Sequence, residues 1–303
     1  MTLLFAIACR SSGSVTFATA DPIVPADPSA VRFVALGDVG RGDANQRRVA
    51  RGVVHACAER GCDAIALLGD LLYPDGMEKD DDPRAEQWIA APYAPAGAPL
   101  LLVLGNHDYG RGRDVASAGR LLRWAKDRPG IVLPANVWDL RAGPVHFVGL
   151  DTNAAFQFGE APQRAWLARV LDESDAPWKV VLGHHPFRSD GEHGNAGAYE
   201  GWTGVPIASG AALRRLFEGA LCDRADLYLA GHDHNRQLLA ACGVDLIVSG
   251  AGSSTTPIVD RGNHPSFASA EPGFVWLELG EGEGRVVFLD ADGKAEREYG
   301  IAP

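Results

Sequence analysis

Lysine is scarce in this sequence, and basic residues are fewer than acidic ones. Arginine supplies most of the positive charge, because lysine occurs only at positions 79, 126, 179 and 294. The formal net charge is −11, and a net-negative surface repels a phosphate backbone, so no nucleic-acid binding is expected. A small phosphorylated substrate stays compatible with this charge, since bound metal ions reverse the field locally.

Long apolar runs are also missing. No stretch approaches the roughly 20 apolar residues needed to span a bilayer, so membrane insertion of the folded chain is not expected. A shorter apolar run, residues 3–8, ends at Cys9 and is followed by a Pro-, Ala- and Asp-rich stretch to about residue 30.

The order of these N-terminal segments resembles a bacterial lipoprotein signal with Cys9 as a candidate lipid anchor. The apolar run is short, however, and no basic residue precedes it, so a plain disordered tail is the alternative. We predict a signal-like segment and flexible tether over residues 1–30, and an exported protein: periplasmic, a cell-surface lipoprotein or secreted.

The five cysteines lack the spacing of a zinc finger. The ordinary interpretation is that they are buried small apolar residues. Cys222 and Cys242 flank a probable strand and could approach each other, so a disulfide between them is a second hypothesis.

From residue 31 onward, apolar runs alternate with helical patterns, which predicts one α/β domain over residues 31–303. Residues 31–36, 64–68 and 99–104 are continuously apolar, as is typical of strands buried on both faces. Asp43 and Gln46 have the spacing of a capping box before a helix. Further strands are predicted at 145–150, 179–182 and 227–230, with helices near 161–174 and 209–219.

Five of the apolar runs lead into a glycine and then a side chain that can bind metal. The junctions are Gly37-Asp38, Gly69-Asp70, Gly105-Asn106-His107, Gly183-His184 and Gly231-His232-Asp233-His234. In α/β sheets, ligands bind beyond the carboxyl ends of the strands, and glycine permits a sharp exit from a strand. We therefore predict that these side chains meet at one rim of the sheet.

The chemistry of the set indicates metal ions. Carboxylate oxygen suits hard cations, whereas imidazole suits iron, zinc and similar metals. Two metals about 3.5–4 Å apart clamp the attacking and leaving oxygens of a phosphoryl transfer, and one carboxylate must then bridge them.

These ordered motifs resemble the calcineurin-like metallophosphoesterases. Tyr73, in Gly69-Asp70-Leu71-Leu72-Tyr73, narrows the resemblance to the purple acid phosphatases of the tartrate-resistant type. The resemblance implies a sandwich of two mixed β-sheets flanked by helices in a single catalytic domain. Leu71 departs from the pattern, since the small purple enzymes usually carry Asn there, and this residue alters the surroundings of the bridging position.

The resemblance also implies a ligand set. Asp38, Tyr73 and His234 would bind the first metal; Asn106, His184 and His232 the second; and Asp70 would bridge them. Three hard anions favour Fe(III) at the first position, and the second ion would be divalent Fe, Zn or Mn. The alternative for Tyr73 is a rim aromatic packed on Pro74, which would leave an ordinary two-metal site.

Two histidines are candidates for catalysis of proton transfer to the leaving group. His107 follows a predicted ligand and has Asp108 beside it as a candidate orienting group. His193 lies in a turn-rich loop after His184 and resembles the family's substrate-side histidine. His185 neighbours a ligand and is a candidate supporting residue that points away from the metals.

The expected function is an acid phosphatase that hydrolyses small phosphate monoesters, with a metal-activated water as nucleophile. A phosphodiesterase or nucleotide pyrophosphatase with the same metal site is one alternative. An anchored, non-catalytic binding protein on this fold is an alternative of another class.

Overall fold

The structure is a computed structural model that describes residues 15–303 except residues 127, 204, 206 and 207. Cys9 and the signal-like run therefore lie outside the described residues. In chain order the strands are β1 (Phe17–Thr19), β2 (Ala30–Leu36), β3 (Ala64–Leu68), β4 (Leu100–Val103), β5 (Ile131–Val132), β6 (Val137–Ala142), β7 (Val145–Gly149), β8 (Trp178–Leu182), β9 (Leu227–Ala230), β10 (Arg236–Ala241), β11 (Val244–Ser249), β12 (Phe267–Ser269), β13 (Gly273–Gly280), β14 (Gly284–Asp290) and β15 (Ala295–Ile301). The α-helices are α1 (Ala44–Arg60), α2 (Val115–Ala125), α3 (Thr152–Phe158), α4 (Ala161–Asp172) and α5 (Ala211–Leu216).

The strands form two mixed sheets. The first has the order β15-β14-β13-β2-β3-β4-β5, and the second has the order β1-β6-β7-β8-β9-β11-β10-β12. Neighbours among β2, β3, β4 and β5 pair in parallel, as do β7, β8 and β9. The carboxyl ends of these strands therefore lie at the same end of each sheet. The predicted α/β sandwich is confirmed.

Successive side chains along the strands of the second sheet point to opposite faces and pack into two different apolar layers. Val180 and Leu182 of β8 belong to the core shared with the first sheet, whereas Val181 faces the layer under the helices. Leu167 of α4 and Leu213 of α5 cover that outer layer. Within the described part of the chain, no helix combines the length and the apolar character that crossing a bilayer requires.

Helix α1 follows β2 and begins as its sequence predicts. Asp43 is the N-cap and accepts a hydrogen bond from the amide of Gln46 at 2.8 Å. The Gln46 side chain reaches back to the amide of Gly42 at 2.6 Å, one residue earlier than in an ideal capping box. The turn between β2 and α1 is therefore fixed on both sides.

The structure differs from the predicted flexible tether over residues 15–30. Strand β1 pairs in parallel with β6, with Phe17 opposite Val137, and Ile23 bridges to Ala142. Val15 and Ile23 pack against the core, so burial of apolar side chains orders this segment. The low-complexity composition concealed these few apolar contacts.

Four cysteines form two disulfides. Cys222–Cys242 joins the end of the α5 region to the turn after β10, as one of the two hypotheses proposed. Cys57–Cys62 joins the last turn of α1 to the segment before β3, a pairing that the sequence interpretation missed. The two Cα atoms lie 4.9 Å apart in this second pair, because the helix ends between them at Gly61.

Candidate metal centre

The predicted ligands converge where the carboxyl ends of the two sheets meet. Asp38, Asp70 and Asn106 follow β2, β3 and β4, and His184 and His232 follow β8 and β9. One carboxylate oxygen of Asp38, one of Asp70 and one ring nitrogen of His184 lie within 4.8 Å of one another, a grouping that can hold a metal ion. All three side chains are buried.

Three of these residues have left-handed backbone conformations that non-glycine residues rarely adopt. The φ angles are 60° at Asp38, 52° at Asp70 and 68° at His232. Such conformations cost about 1–3 kcal/mol each and persist where the surroundings determine them. Among the five junction glycines, only Gly69 has a positive φ, at 85°, so at the other two of these junctions the unusual conformation falls on the residue after the glycine.

Four of the five junction glycines, Gly69, Gly105, Gly183 and Gly231, lie where an added Cβ would come closer than 3.0 Å to another residue. A Cβ at Gly105 would lie 2.2 Å from Oδ1 of Asp70, and a Cβ at Gly231 would lie 2.5 Å from Oδ2 of Asp38. Neither glycine is among those with positive φ. Their role is to let neighbouring strand ends approach the carboxylates of the site.

The hydroxyl of Tyr73 centres one group of potential ligand atoms. It lies 3.1 Å from Oδ1 of Asp38, 2.9 Å from Oδ2 of Asp70 and 3.1 Å from Nε2 of His234. Tyr73 is buried, and its ring packs beside that of His107. These are the three residues that the resemblance assigns to the first metal, together with Asp70, which it assigns to the bridge.

Nε2 of His184 centres a second group. It lies 3.0 Å from Oδ1 of Asn106, 3.2 Å from Nδ1 of His232 and 3.4 Å from Oδ1 of Asp70. The two oxygens of Asp70 thus face different groups, one centred on Tyr73 and the other on His184.

The donor set fits metal ions. Nδ1–H of His184 donates to the carbonyl of Leu68 at 2.9 Å, so the neutral ring presents a lone pair at Nε2. The oxygen of Asn106 and a nitrogen of His232 converge on this lone pair. Ligand atoms about 2.1 Å from one ion, and at right angles around it, are about 3 Å apart, as they are in both groups.

In the first group, Asp38 and His234 stabilise each other's charged forms, as their pKa shifts indicate. Burial works to raise the pKa of Asp38, but the charge and hydrogen bond of His234, together with the charge of His184 and the amide of His232, outweigh burial and lower that pKa. Burial likewise works to lower the pKa of His234, and Asp38 reverses this effect and raises it. Burial, followed by the charges of Asp38 and Asp70, raises the pKa of Tyr73 well above its ordinary value. A phenolate at Tyr73 therefore requires a strong positive charge beside it.

Burial favours the neutral forms of His232 and His185, as the lowered pKa of each shows. Burial lowers the pKa of His232 far below its ordinary value, and the neighbouring histidines reinforce this shift. Burial also lowers the pKa of His185, with His184 adding to the effect. The ring of His185 lies 4.4 Å from that of His232 and its Nδ1 lies 2.9 Å from Oγ1 of Thr152, so it packs behind the second group.

Both candidate catalytic histidines line the cleft beside these groups, a cavity of about 540 Å³. Nδ1–H of His107 donates to the carbonyl of Pro74 at 2.5 Å, and its Nε2 lies 4.0 Å from Oδ2 of Asp70. The ring of His193 stacks on that of His232, with 4.0 Å between centroids. Each histidine therefore keeps Nε2 available to a molecule in the cleft.

Asp108 does not orient His107, contrary to the sequence interpretation. Its carboxylate accepts the amides of Leu71 at 2.9 Å, Leu72 at 3.2 Å and Gly105 at 2.8 Å. The side chain points into the interior and ties the end of β3 to the end of β4. Burial, with repulsion from Asp70, raises the pKa of Asp108 well above its ordinary value.

The sequence interpretation missed the residues that hold His193 and His234. Glu200 accepts a hydrogen bond from Nδ1–H of His193, and its own amide donates to the His193 carbonyl at 3.0 Å. Asp233 accepts the amide of His193 at 2.7 Å, and Oγ of Ser254 lies 2.9 Å from Nδ1 of His234. Of these residues, only Asp233 lies within a predicted motif, between the predicted ligands His232 and His234.

Residues 31–250 match the sequence model of the calcineurin-like phosphoesterases. Purple acid phosphatase 4 of Arabidopsis thaliana is 28% identical over 302 residues, covering 89% of this chain and 83% of the relative. Tartrate-resistant acid phosphatase type 5 of Homo sapiens is 26% identical over 307 residues, covering 88% and 89%.

Among solved structures, GAP50, described as the anchor in the inner membrane complex of Plasmodium, superposes with a TM-score of 0.72. It is 20% identical, and the match covers 90% of this chain and 89% of that one, which shows a shared fold. The match over residues 31–250 and the acid phosphatase relatives along most of the chain confirm the predicted enzyme class. The chain is a hydrolase of the calcineurin-like phosphoesterase family, related to the purple acid phosphatases.

Proposed function

We propose that this protein is a binuclear-metal acid phosphatase that hydrolyses small phosphate monoesters. The observation that carries the proposal is the position of Asp70, whose two oxygens face two separate groups of potential ligands. A bridging carboxylate of this kind is what a two-metal phosphoesterase requires. Bound ions would supply positive charge for the phosphate oxygens and an activated water.

We infer Fe(III) in the first group and divalent Fe, Zn or Mn in the second. Asp38, Asp70 and Tyr73 offer three hard oxygen ligands, whereas Asn106, His184 and His232 offer an amide and imidazoles. Elemental analysis and a visible spectrum of one pure sample test this inference. Tyr73→Phe is expected to remove the visible absorption, and a spectrum that survives the substitution would exclude a bond between Tyr73 and iron.

The protein's own contribution to the reaction is orientation and proton transfer. Glu200 holds Nδ1 of His193, which leaves Nε2 as the nitrogen that can donate a proton to the leaving oxygen. His107, held through Nδ1 by the carbonyl of Pro74, is the second candidate donor. His193→Ala is expected to lower kcat about 10²-fold with unchanged metal content.

The direct test is turnover of an aryl phosphate monoester and an aryl phosphate diester by protein loaded with iron and a divalent metal. We expect faster monoester hydrolysis, with an optimum on the acid side of neutrality. A preference for the diester would favour the phosphodiesterase alternative, and the absence of turnover on both substrates would contradict the proposal. Less than one metal equivalent per chain would revive the anchored binding protein.

Export of the protein is proposed from its disulfides. Cys57–Cys62 and Cys222–Cys242 are bonds that persist in oxidising compartments such as the periplasm or the extracellular medium. Lipidation at Cys9 is proposed from the sequence alone. Mass spectrometry of the exported protein tests both, since an acylated N-terminal Cys9 and two intact disulfides are expected.

A further inference from the structure

Arg41 is a positively charged residue that lines the cleft. Its guanidinium carbon lies 4.4 Å from the centroid of the Tyr73 ring, and the residue lines the cleft together with His193 and Trp88. Among the described residues its side chain makes no hydrogen bond or ion pair, unlike Arg84, which binds Asp82 at 2.6 Å. The five donors of Arg41 are therefore available to an anion in the cleft.

The loop that carries Arg41 is fixed by its neighbours. The carbonyl of Gly40 accepts the amide of Tyr73 at 2.8 Å, and a Cβ on Gly40 would lie 2.2 Å from the Leu71 carbonyl. Gly42 lies against the indole of Trp88, where a Cβ would come within 2.2 Å of the ring. The position of Arg41 beside Tyr73 is thus built into the fold rather than left to an unsupported loop.

The nearest carboxylate on this loop does not compete for Arg41. Asp43 is occupied as the N-cap of α1 by the amide of Gln46. Because Tyr73 is hydrogen-bonded to Asp38, Asp70 and His234, a guanidinium on its ring lies beside the candidate metal centre itself. An anion bound at that centre would lie within reach of the guanidinium fork.

We propose that Arg41 is a specificity-determining residue that selects phosphate monoesters over diesters. This inference rests on the proposed function. A monoester has three unesterified oxygens, so that when two of them bind cations the third remains for Arg41. A diester has only two, and Arg41 would then face an ester oxygen that carries a substituent and less charge.

The test compares Arg41→Met and Arg41→Lys with the wild type. Methionine keeps an apolar contact with Tyr73 and removes the charge, whereas lysine keeps the charge without the fork. We expect kcat/KM for an aryl monoester to fall about 10- to 100-fold in Arg41→Met, with a diester changed less than about threefold and metal content unchanged. Arg51→Met, at an exposed position on α1 outside the cleft, controls for the loss of one positive charge.

A second measurement does not depend on turnover. Calorimetry of metal-loaded protein should show weaker binding of inorganic phosphate in Arg41→Met by a similar factor, and equal binding of dimethyl phosphate. Equal losses for both esters, no loss for either, or metal loss in both Arg41 variants would overturn the inference. If only the methionine variant loses metal, the monoester-to-diester ratio of the lysine variant decides. A wild type inactive on every ester would contradict the proposed function, while the phosphate-binding difference would still report on Arg41.

Discussion

The first sheet contributes oxygen atoms to the candidate metal centre, whereas the second contributes imidazole nitrogens. Asp38, Asp70 and Asn106 follow strands of the first sheet, and His184 and His232 follow strands of the second. Neither sheet alone offers the mixture that a pair of different metal ions prefers. The centre therefore exists only where the two sheets are packed together.

The two sheets are hydrogen-bonded to each other at this point. The amide of Gly37, at the end of β2, donates to the carbonyl of Ser249, at the end of β11, at 2.7 Å. Oγ of Ser249 donates in return to the carbonyl of Ala35 at 2.9 Å. A Cβ on Gly37 would lie 3.1 Å from Cα of Gly231. The predicted ligands are therefore brought together by the contact between the two sheets.

The largest expected effect comes from removing the oxygen atoms shared by both groups. Asp70→Asn keeps the shape of the side chain but weakens binding at both metal positions, so turnover should fall by roughly 10³-fold or more, since even the partners of ligands change affinity or activity 10–100-fold. Metal content by elemental analysis should fall below one equivalent.

Asp75→Asn is the matched control, because Asp75 is an exposed carboxylate that pairs with Arg111 at 2.6 Å. It should retain both metals and full turnover. Near-normal turnover in Asp70→Asn would show that Asp70 does not bridge.

The second prediction concerns a variant that disturbs the contact between the two sheets without removing a predicted ligand. In Gly231→Ala, the new methyl group would press on Oδ2 of Asp38 and the carbonyl of Leu68. Overpacking of this kind costs about 1–3 kcal/mol, and we expect a lower midpoint of thermal unfolding together with a loss of bound metal. Gly282→Ala is the control, since nothing lies within 4 Å of a Cβ there. Equal unfolding midpoints and equal metal content in the two variants would mean that the contact between the sheets tolerates the added methyl group.

The third prediction separates a ligand from the group that orients it. Ser254→Ala removes the partner of Nδ1 of His234, and metal affinity at the first position should weaken about 10–100-fold. Ser174→Ala is the matched control, because Oγ of Ser174 lies at the same 2.9 Å from Nδ1 of a histidine outside the centre, His146. Metal titration of both variants distinguishes orientation of a ligand from a general loss of a serine–histidine contact.

The smallest effect on activity is expected from the two disulfides, since none of their cysteines lines the cleft. Cys222–Cys242 closes a longer loop than Cys57–Cys62. Loop-closure entropy then predicts losses of about 3 and about 2 kcal/mol in the free energy of unfolding when each pair is replaced by alanine. Denaturant unfolding measures this order, and kcat should stay unchanged in both variants. A reversed order would show that packing around the cysteines outweighs chain entropy.

The sequence predicted the parts of the centre that local patterns encode. Each ligand after a strand was visible because a continuously apolar run ended in glycine and a polar residue. His234 was part of the last of these junctions, whereas Tyr73 came from the resemblance to a family. The hydroxyl of Tyr73 indeed lies among the side chains assigned to the same metal, although metal binding by these residues stays a prediction.

Contacts between distant segments were beyond the sequence. Glu200 reaches His193 from a separate turn, and Arg41 is placed on Tyr73 by packing of Gly40 and Gly42. The order of residues 15–30 depends on pairing with β6, more than a hundred residues away. No local pattern in composition or periodicity reports such pairings.

Asp233 has a consequence for how the substrate range of this enzyme could change. Its carboxylate accepts the amides of His193 at 2.7 Å and Gly194 at 3.3 Å, while its chain neighbours His232 and His234 turn toward the candidate metal centre. A Cβ on Gly191 would lie 2.2 Å from the Asp233 side chain, so the loop is closely packed against Asp233 there. Insertions that reshape the mouth of the cleft would therefore be accommodated after Glu200, where residues 201–203 are exposed, whereas insertions before Glu200 would displace His193 from its place beside the candidate metal centre.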